Sequence, residues 1–127
     1  MTPDWLNDSV QAFGRQMGLS AFRLNENGSA GVRFENGLVF RLEYANEALV
    51  MSAGVPAAAD ADTMKRLLVT SHPSAARQVR IRTGYLAKSG EALFTLRLAE
   101  RAVTVSSLES AFRLLWGAAD RLRRAVS

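Results

Sequence analysis

The pattern of apolar and polar residues between positions 31 and 56 predicts three consecutive β-strands separated by short turns. Phe40, Leu42 and Tyr44 alternate with Arg41 and Glu43, which is the period of two expected for a strand with one buried face. We therefore expect the core of the protein to form around this stretch.

The first turn and the third run define this sheet further. The apolar faces of the two strands agree only if the loop has three residues, Glu35 to Gly37, because Val32 then pairs with Phe40. A two-residue loop would instead place Arg33 opposite Phe40. The third run, Ala48 to Val55, is apolar on both parities, so one of its faces lacks an obvious partner within the chain.

A first helix is predicted over residues 4–18, before this sheet. Its apolar residues recur three or four apart and are Trp5, Leu6, Val10, Phe13 and Met17. Such a stripe is expected to pack on the sheet, with Trp5 at its end left exposed. Gly14 weakens the helix, and Gly18 suits its C-terminal end.

Two further helices follow the third run. One is expected to begin at Asp60 or Asp62, and His72-Pro73 should end it because the residue before a proline disfavours the helical region. The last helix is predicted to begin with a capping box formed by Ser106 and Glu109.

A second hairpin is predicted between residues 78 and 98, with Ser89-Gly90 as a two-residue loop. That register places Tyr85 opposite Phe94 on the inward face and Arg82 opposite Arg97 on the outward face. Like charges in opposite positions destabilise a strand pair, so we expect an acidic partner to relieve them.

The whole pattern predicts a single α+β domain over residues 1–127, in the order helix, three strands, helix, two strands, helix. The helices should pack on an antiparallel twisted sheet. Of its 127 residues 48% are hydrophobic and 22% charged, which is ordinary for a globular protein. No apolar run approaches the ~20 residues that span a bilayer, and Asp4 and Asp8 interrupt any leader. We expect a cytoplasmic protein without membrane insertion.

Charge favours an anionic partner, since the net charge is +4 and 14 of the 16 basic residues are arginines. The chain has no cysteine and one histidine, and it contains no phosphate-binding loop and no nucleophile motif. We therefore predict no catalytic residue, no metal site and no cofactor. A small basic nucleic-acid-binding module is the alternative, although the interleaved aromatics that stack on bases are missing, because Tyr85 and Phe94 should point inward.

Four stretches resemble the small class I chaperones of bacterial type III secretion: WLNDSVQAFGRQMGL, GLVFRLEYANEALVMSAGVP, GYLAKSGEALFTLRL and LESAFRLLWGAADRLRRAV. The resemblance covers nearly the whole chain and includes the order of the elements. It implies a bacterial cytoplasmic chaperone, not an enzyme, that binds an extended N-terminal segment of a secreted effector or gatekeeper protein and keeps it soluble and competent for secretion.

The resemblance also implies two contact surfaces. The client would contact Trp5, Leu6, Phe13, Val39, Arg41 and Val50. The dimer contact would involve Met64, Leu67, Leu68, Arg80, Arg82 and Arg97. The dimer would be a homodimer or a heterodimer. Chaperones of this class are usually acidic, whereas this chain is basic. A heterodimer with an acidic sister chaperone, known in the branch that serves gatekeeper proteins, would account for the charge and for Arg82 facing Arg97.

Overall fold

The computed structural model describes residues 2–58, 60–70 and 81–126, with only the backbone described for 67–70 and 126. Its elements follow the predicted order and give an α+β fold. They are α1 (Asp4–Gln16), β1 (Ser29–Arg33), β2 (Val39–Ala45), β3 (Ala48–Pro56), α2 (Ala61–Thr70), β4 (Arg82–Leu86), β5 (Glu91–Ala99) and α3 (Val105–Val126).

The five strands form one antiparallel sheet in the order β1-β2-β3-β5-β4, so β1 and β4 are its edges. The predicted first hairpin is confirmed: Val32 pairs with Phe40, and the Phe34 N–H donates to the Leu38 carbonyl at 2.8 Å. Gly37 has a φ of 91°, a left-handed conformation that glycine adopts without steric cost.

Both long helices pack on one face of the sheet. Phe40 of β2 lies on this face, and its ring centroid is 6.2 Å from that of Phe13 in α1 and 4.8 Å from that of Phe112 in α3. The other face, which we call the open face, is covered by neither helix. Successive residues of a strand alternate between faces, so the open face carries Arg33, Val39, Arg41, Glu43, Val50, Ser52, Gly54, Arg82, Leu86, Glu91, Leu93, Thr95 and Arg97.

Gly14, although a weak helix former, allows a close packing contact in α1. The segment after α1 folds back against the helix, and a Cβ on Gly14 would lie 2.8 Å from the Cβ of Phe22. Real side chains do not approach so closely, so only glycine allows this contact. Phe22 in turn stacks on Phe40 with ring centroids 6.2 Å apart.

The helix starts follow the predictions in one case and differ in the other. The Asp60 carboxylate accepts a hydrogen bond from the Thr63 N–H at 2.8 Å, so Asp60 caps α2. The predicted capping box of α3 is wrong by two residues. Thr104 is the cap, because its hydroxyl accepts from the Ser107 N–H at 3.0 Å and the Ser107 hydroxyl accepts from the Thr104 N–H at 2.8 Å.

The predicted register of the second hairpin is also wrong. Tyr85 faces Ala92 and Arg82 faces Thr95, because the turn spans residues 87–90. The pairing is shifted by two residues, which leaves every side chain on its predicted face. A long-range contact explains the shift: the Tyr85 hydroxyl donates to the Ala57 carbonyl at 2.8 Å.

Arg97 therefore does not face Arg82. It pairs with Val50 of β3, and both arginines are exposed on the open face. The direct repulsion that the sequence analysis predicted is absent, although the positive charge of this face remains.

One hydrogen bond joins β2 to the chain after β5. The Tyr44 hydroxyl donates to the Glu100 carboxylate, and this bond raises the pKa of Tyr44 to about 12. The Glu100 N–H donates to the Glu47 carbonyl at 2.9 Å. Together these bonds hold the short 3-10 turn Glu100–Ala102 against the β2–β3 hairpin.

Candidate functional site

The outer edge of β1 offers backbone groups for a further strand. Ser29 uses both of its backbone groups away from β2, because its N–H donates to the Asn25 side chain at 3.0 Å and its carbonyl accepts from the Asn25 N–H at 2.8 Å. Hydrogen-bonding direction alternates along an antiparallel strand. The N–H and C=O groups of Gly31 and Arg33 are therefore directed away from β2 as well, outward from the β1 edge in the plane of the sheet.

A groove lies on each side of this edge. One, of about 240 Å³, separates β1 from the preceding segment and is lined by Leu19, Ser20, Ala21, Phe22, Arg23, Ala30, Gly31 and Val32. The other, of about 400 Å³, lies on the open face and is lined by Asn25, Ser29, Ala30, Gly31, Val32, Arg33, Val39 and Arg41. We call the second one the Arg41 groove. Alternate side chains of a strand added to β1 would point to opposite faces of the sheet, one groove on each.

An ion pair that reaches from β2 over β3 to β5 positions Arg41. Its Nη1 atom lies 3.0 Å from Oε1 of Glu91 on β5, and the two side chains are 43% and 8% exposed. The Glu91 side chain passes over β3 at Gly54, where a Cβ would lie 2.5 Å from its Cδ atom. Gly54 therefore leaves the space that the ion pair occupies.

The sequence analysis did not identify Glu91. An acidic residue at the start of a strand carries no signal of its own, and its partner lies 50 positions away. The available signal was Gly54, because a glycine inside a strand often marks a close approach of another group.

Of the six predicted client-contact residues, four lie at the end of α1 or on the open face, and two lie in the core. Trp5 of α1 is 45% exposed. Val39, Arg41 and Val50 share the open face, where Val39 is only 7% exposed.

Leu6 and Phe13 require a correction. Both side chains are fully buried in the core, and a client cannot contact a side chain without exposed surface. The apolar stripe of α1 is therefore mainly a core face, and Trp5 is the member of it that remains accessible.

The predicted dimer-contact residues are described only in part. Met64 is half-buried against the core, and Arg82 and Arg97 are exposed. Arg80 and the side chains of Leu67 and Leu68 lie outside the described part of the chain. The β4 edge near these positions also carries Leu86, which is 44% exposed.

Other chemistries find no support in the described residues. Within them, no cluster of three or more histidine, cysteine, aspartate or glutamate side chains could hold a metal ion. The strand residues placed on the open face include no aromatic side chain, so nothing there favours base stacking. Among the described helices, none is long and apolar enough to cross a bilayer.

Several solved structures share this architecture, among them a chaperone–effector complex and a type III secretion chaperone. A chain of the ExsC–ExsE complex matches with a TM-score of 0.81 and 17% identity, over 96% of this chain and 93% of that one. A chain of the HopA1–SchA chaperone–effector complex gives 0.71 and 16%, over 97% and 99%. The Yersinia pestis type III secretion chaperone SycH, in complex with a fragment of YscM2, gives 0.71 and 20%, over 92% and 98%. These likenesses establish a secretion-chaperone fold.

Family membership follows from the sequence itself. The family described as type III secretory system chaperone SycN matches residues 5–123, and the chain belongs to this family. No curated protein matches it in sequence. The predicted resemblance to type III secretion chaperones is thus confirmed.

Proposed function

We propose that this type III secretion chaperone binds an extended segment of a secreted protein along the free edge of β1 and keeps that segment competent for export. The observation that carries this proposal is the outward direction of the Gly31 and Arg33 backbone groups. We further infer that it acts in the bacterial cytoplasm and without catalysis.

A client strand added to β1 would gain main-chain hydrogen bonds, and its alternate side chains would enter the two grooves. This mode suits a client segment that is not folded beforehand, because an extended chain can offer its backbone groups to the edge. Related solved structures support the proposal, since their complexes include the partners ExsE, HopA1 and YscM2. The exposed Trp5 and the open-face residues Arg41 and Val50 remain within the proposed client surface.

We also propose that a second chaperone chain contacts the α2 and β4 side. Met64, Arg82 and Leu86 are the described residues there that support this contact. The partner is either a second copy or an acidic sister chaperone. The net charge of +4 and the exposed Arg82 and Arg97 favour the acidic sister, because complementary charge promotes association.

Co-expression with a secreted protein encoded beside this chain tests the client proposal. We expect one stable complex in size-exclusion chromatography. Gly31→Pro removes an outward N–H that β2 does not use, so it should weaken the complex while the chain stays folded. Gly31→Ala is the matched control, because its Cβ meets nothing closer than 3.6 Å and the N–H remains. A complex equally stable with Gly31→Pro would refute edge binding.

A further inference from the structure

We propose that the Arg41 groove binds an acidic side chain, aspartate or glutamate, of the client segment that pairs with β1. This inference rests on the proposed function. It adds a sequence requirement for the client, whereas main-chain pairing alone would accept almost any extended segment.

The register of the sheet determines which client side chains reach the groove. Gly31 faces Arg41 across β1 and β2, and Arg33 faces Val39. Client residues placed opposite Gly31 and Arg33 would have their side chains on the same, open face. Gly31 has no side chain, and its position lies against the Arg41 side chain, since an added Cβ would be 3.7 Å from the Cγ of Arg41. Nothing at Gly31 therefore separates a client side chain from Arg41.

The charge of the groove selects the kind of side chain. Its lining includes two arginines, Arg33 and Arg41, and no acidic residue. Asn25 and Ser29 also belong to the lining, and the Asn25 side-chain oxygen already accepts hydrogen bonds from the N–H groups of Asn27 and Ser29. A carboxylate is the group that complements a guanidinium best, because two parallel hydrogen bonds can form between them.

Arg41 is held in position before any client arrives. Glu91 is largely buried and binds one guanidinium nitrogen at 3.0 Å, whereas a guanidinium has five N–H donors. Among the described residues, no other partner takes the remaining donors, and the Arg41 side chain is 43% exposed. A side chain ordered in advance loses less conformational entropy on binding. Glu91 thus acts as a positioning residue for Arg41.

The test measures whether one acidic client residue depends on Arg41. A peptide that covers the bound client segment is prepared with each aspartate changed to asparagine and each glutamate to glutamine, one at a time. Its affinity is measured by fluorescence anisotropy for the wild-type chain and for Arg41→Gln. Arg101→Gln is the control, because Arg101 is exposed in the 3-10 turn after β5 and does not line the groove.

We expect one substitution in the peptide to weaken binding to the wild-type chain about tenfold, the loss of one charge-assisted hydrogen bond. The same substitution should have almost no effect with Arg41→Gln and the full effect with Arg101→Gln. If no acidic residue depends on Arg41, or if Arg101→Gln removes the effect equally, the inference is wrong while the proposed function stands. If Arg41→Gln instead disrupts only an acidic sister chain, that chain occupies the groove and the inference is wrong. If the wild-type chain binds no secreted protein, the proposed function fails and the inference with it.

Discussion

Replacing Gly54 by alanine would test whether the Glu91–Arg41 ion pair shapes the open face. The new Cβ would lie 2.5 Å from the Cδ of Glu91 and 2.8 Å from each of its carboxylate oxygens. The carboxylate is the far end of a flexible side chain, so it would move away into solvent and the strand would remain intact. The expected damage is therefore the loss of the ion pair with Arg41.

Two opposing effects determine how Gly54→Ala changes the free energy of unfolding. Losing a hydrogen bond between charged groups, of which Glu91 is largely buried and Arg41 partly exposed, costs about 2 kcal/mol. Alanine in a strand is more stable than glycine by about 0.5–1 kcal/mol. Gly54→Ala should therefore lower the stability of the wild-type chain by about 1–1.5 kcal/mol. In a Glu91→Ala background the three atoms nearest to the new Cβ are gone, and the same change should raise stability by about 0.5–1 kcal/mol.

Urea unfolding of the four variants of this double-mutant cycle, followed by circular dichroism at one protein concentration, measures the difference. The expected coupling between positions 54 and 91 is about 2 kcal/mol. Equal effects of Gly54→Ala in both backgrounds would show that Glu91 does not lie over Gly54, and the explanation for the position of Arg41 would be lost.

Three further changes test the fold. Gly14→Ala should lower stability by about 1–3 kcal/mol through overpacking. The control Gly117→Ala, whose Cβ would meet nothing closer than 3.6 Å, should raise stability by about 0.5–1 kcal/mol. In thermal unfolding the two variants should therefore shift the midpoint temperature in opposite directions. Thr104→Ala should lower stability by about 1 kcal/mol because it removes the cap of α3, and Ser106→Ala should lower it less in the same urea assay. A larger loss with Ser106→Ala would mean that the capping box lies where the sequence pattern placed it. The hydrogen bond from Tyr44 to Glu100 raises the pKa of Tyr44 to about 12. Its contribution to stability is therefore present below pH 10 and is lost as the pH rises toward about 12. Unfolding curves across this range should therefore decline less for Tyr44→Phe, and identical declines would contradict the role of its hydrogen bond.

Local patterns predicted the elements and the first hairpin well. The alternation around Phe40 and Leu42 identified a half-buried strand, and agreement of the apolar faces was sufficient to pair Val32 with Phe40. These features depend on neighbours in sequence, where periodicity and turn chemistry act directly.

The errors have long-range causes. The position of the second turn depends on a bond from Tyr85 to Ala57, 28 residues away, which Ser89-Gly90 could not reveal. The family resemblance placed Leu6 and Phe13 on the client surface, although both belong to the apolar stripe of α1 and are fully buried, whereas Trp5 at the end of the stripe stays accessible. The Glu91–Arg41 pair required a strand order in which β5 lies beside β3, and no local pattern specifies that order.

Amide hydrogen exchange, followed by NMR on the free chain and on its complex with the client segment, tests the central claim most directly. The amides of Gly31 and Arg33 should exchange fast in the free chain and become protected in the complex. The amides of Ala30 and Val32, which face β2, are the internal control and should change little. A stable complex in which Gly31 and Arg33 remain unprotected would contradict client binding at the β1 edge.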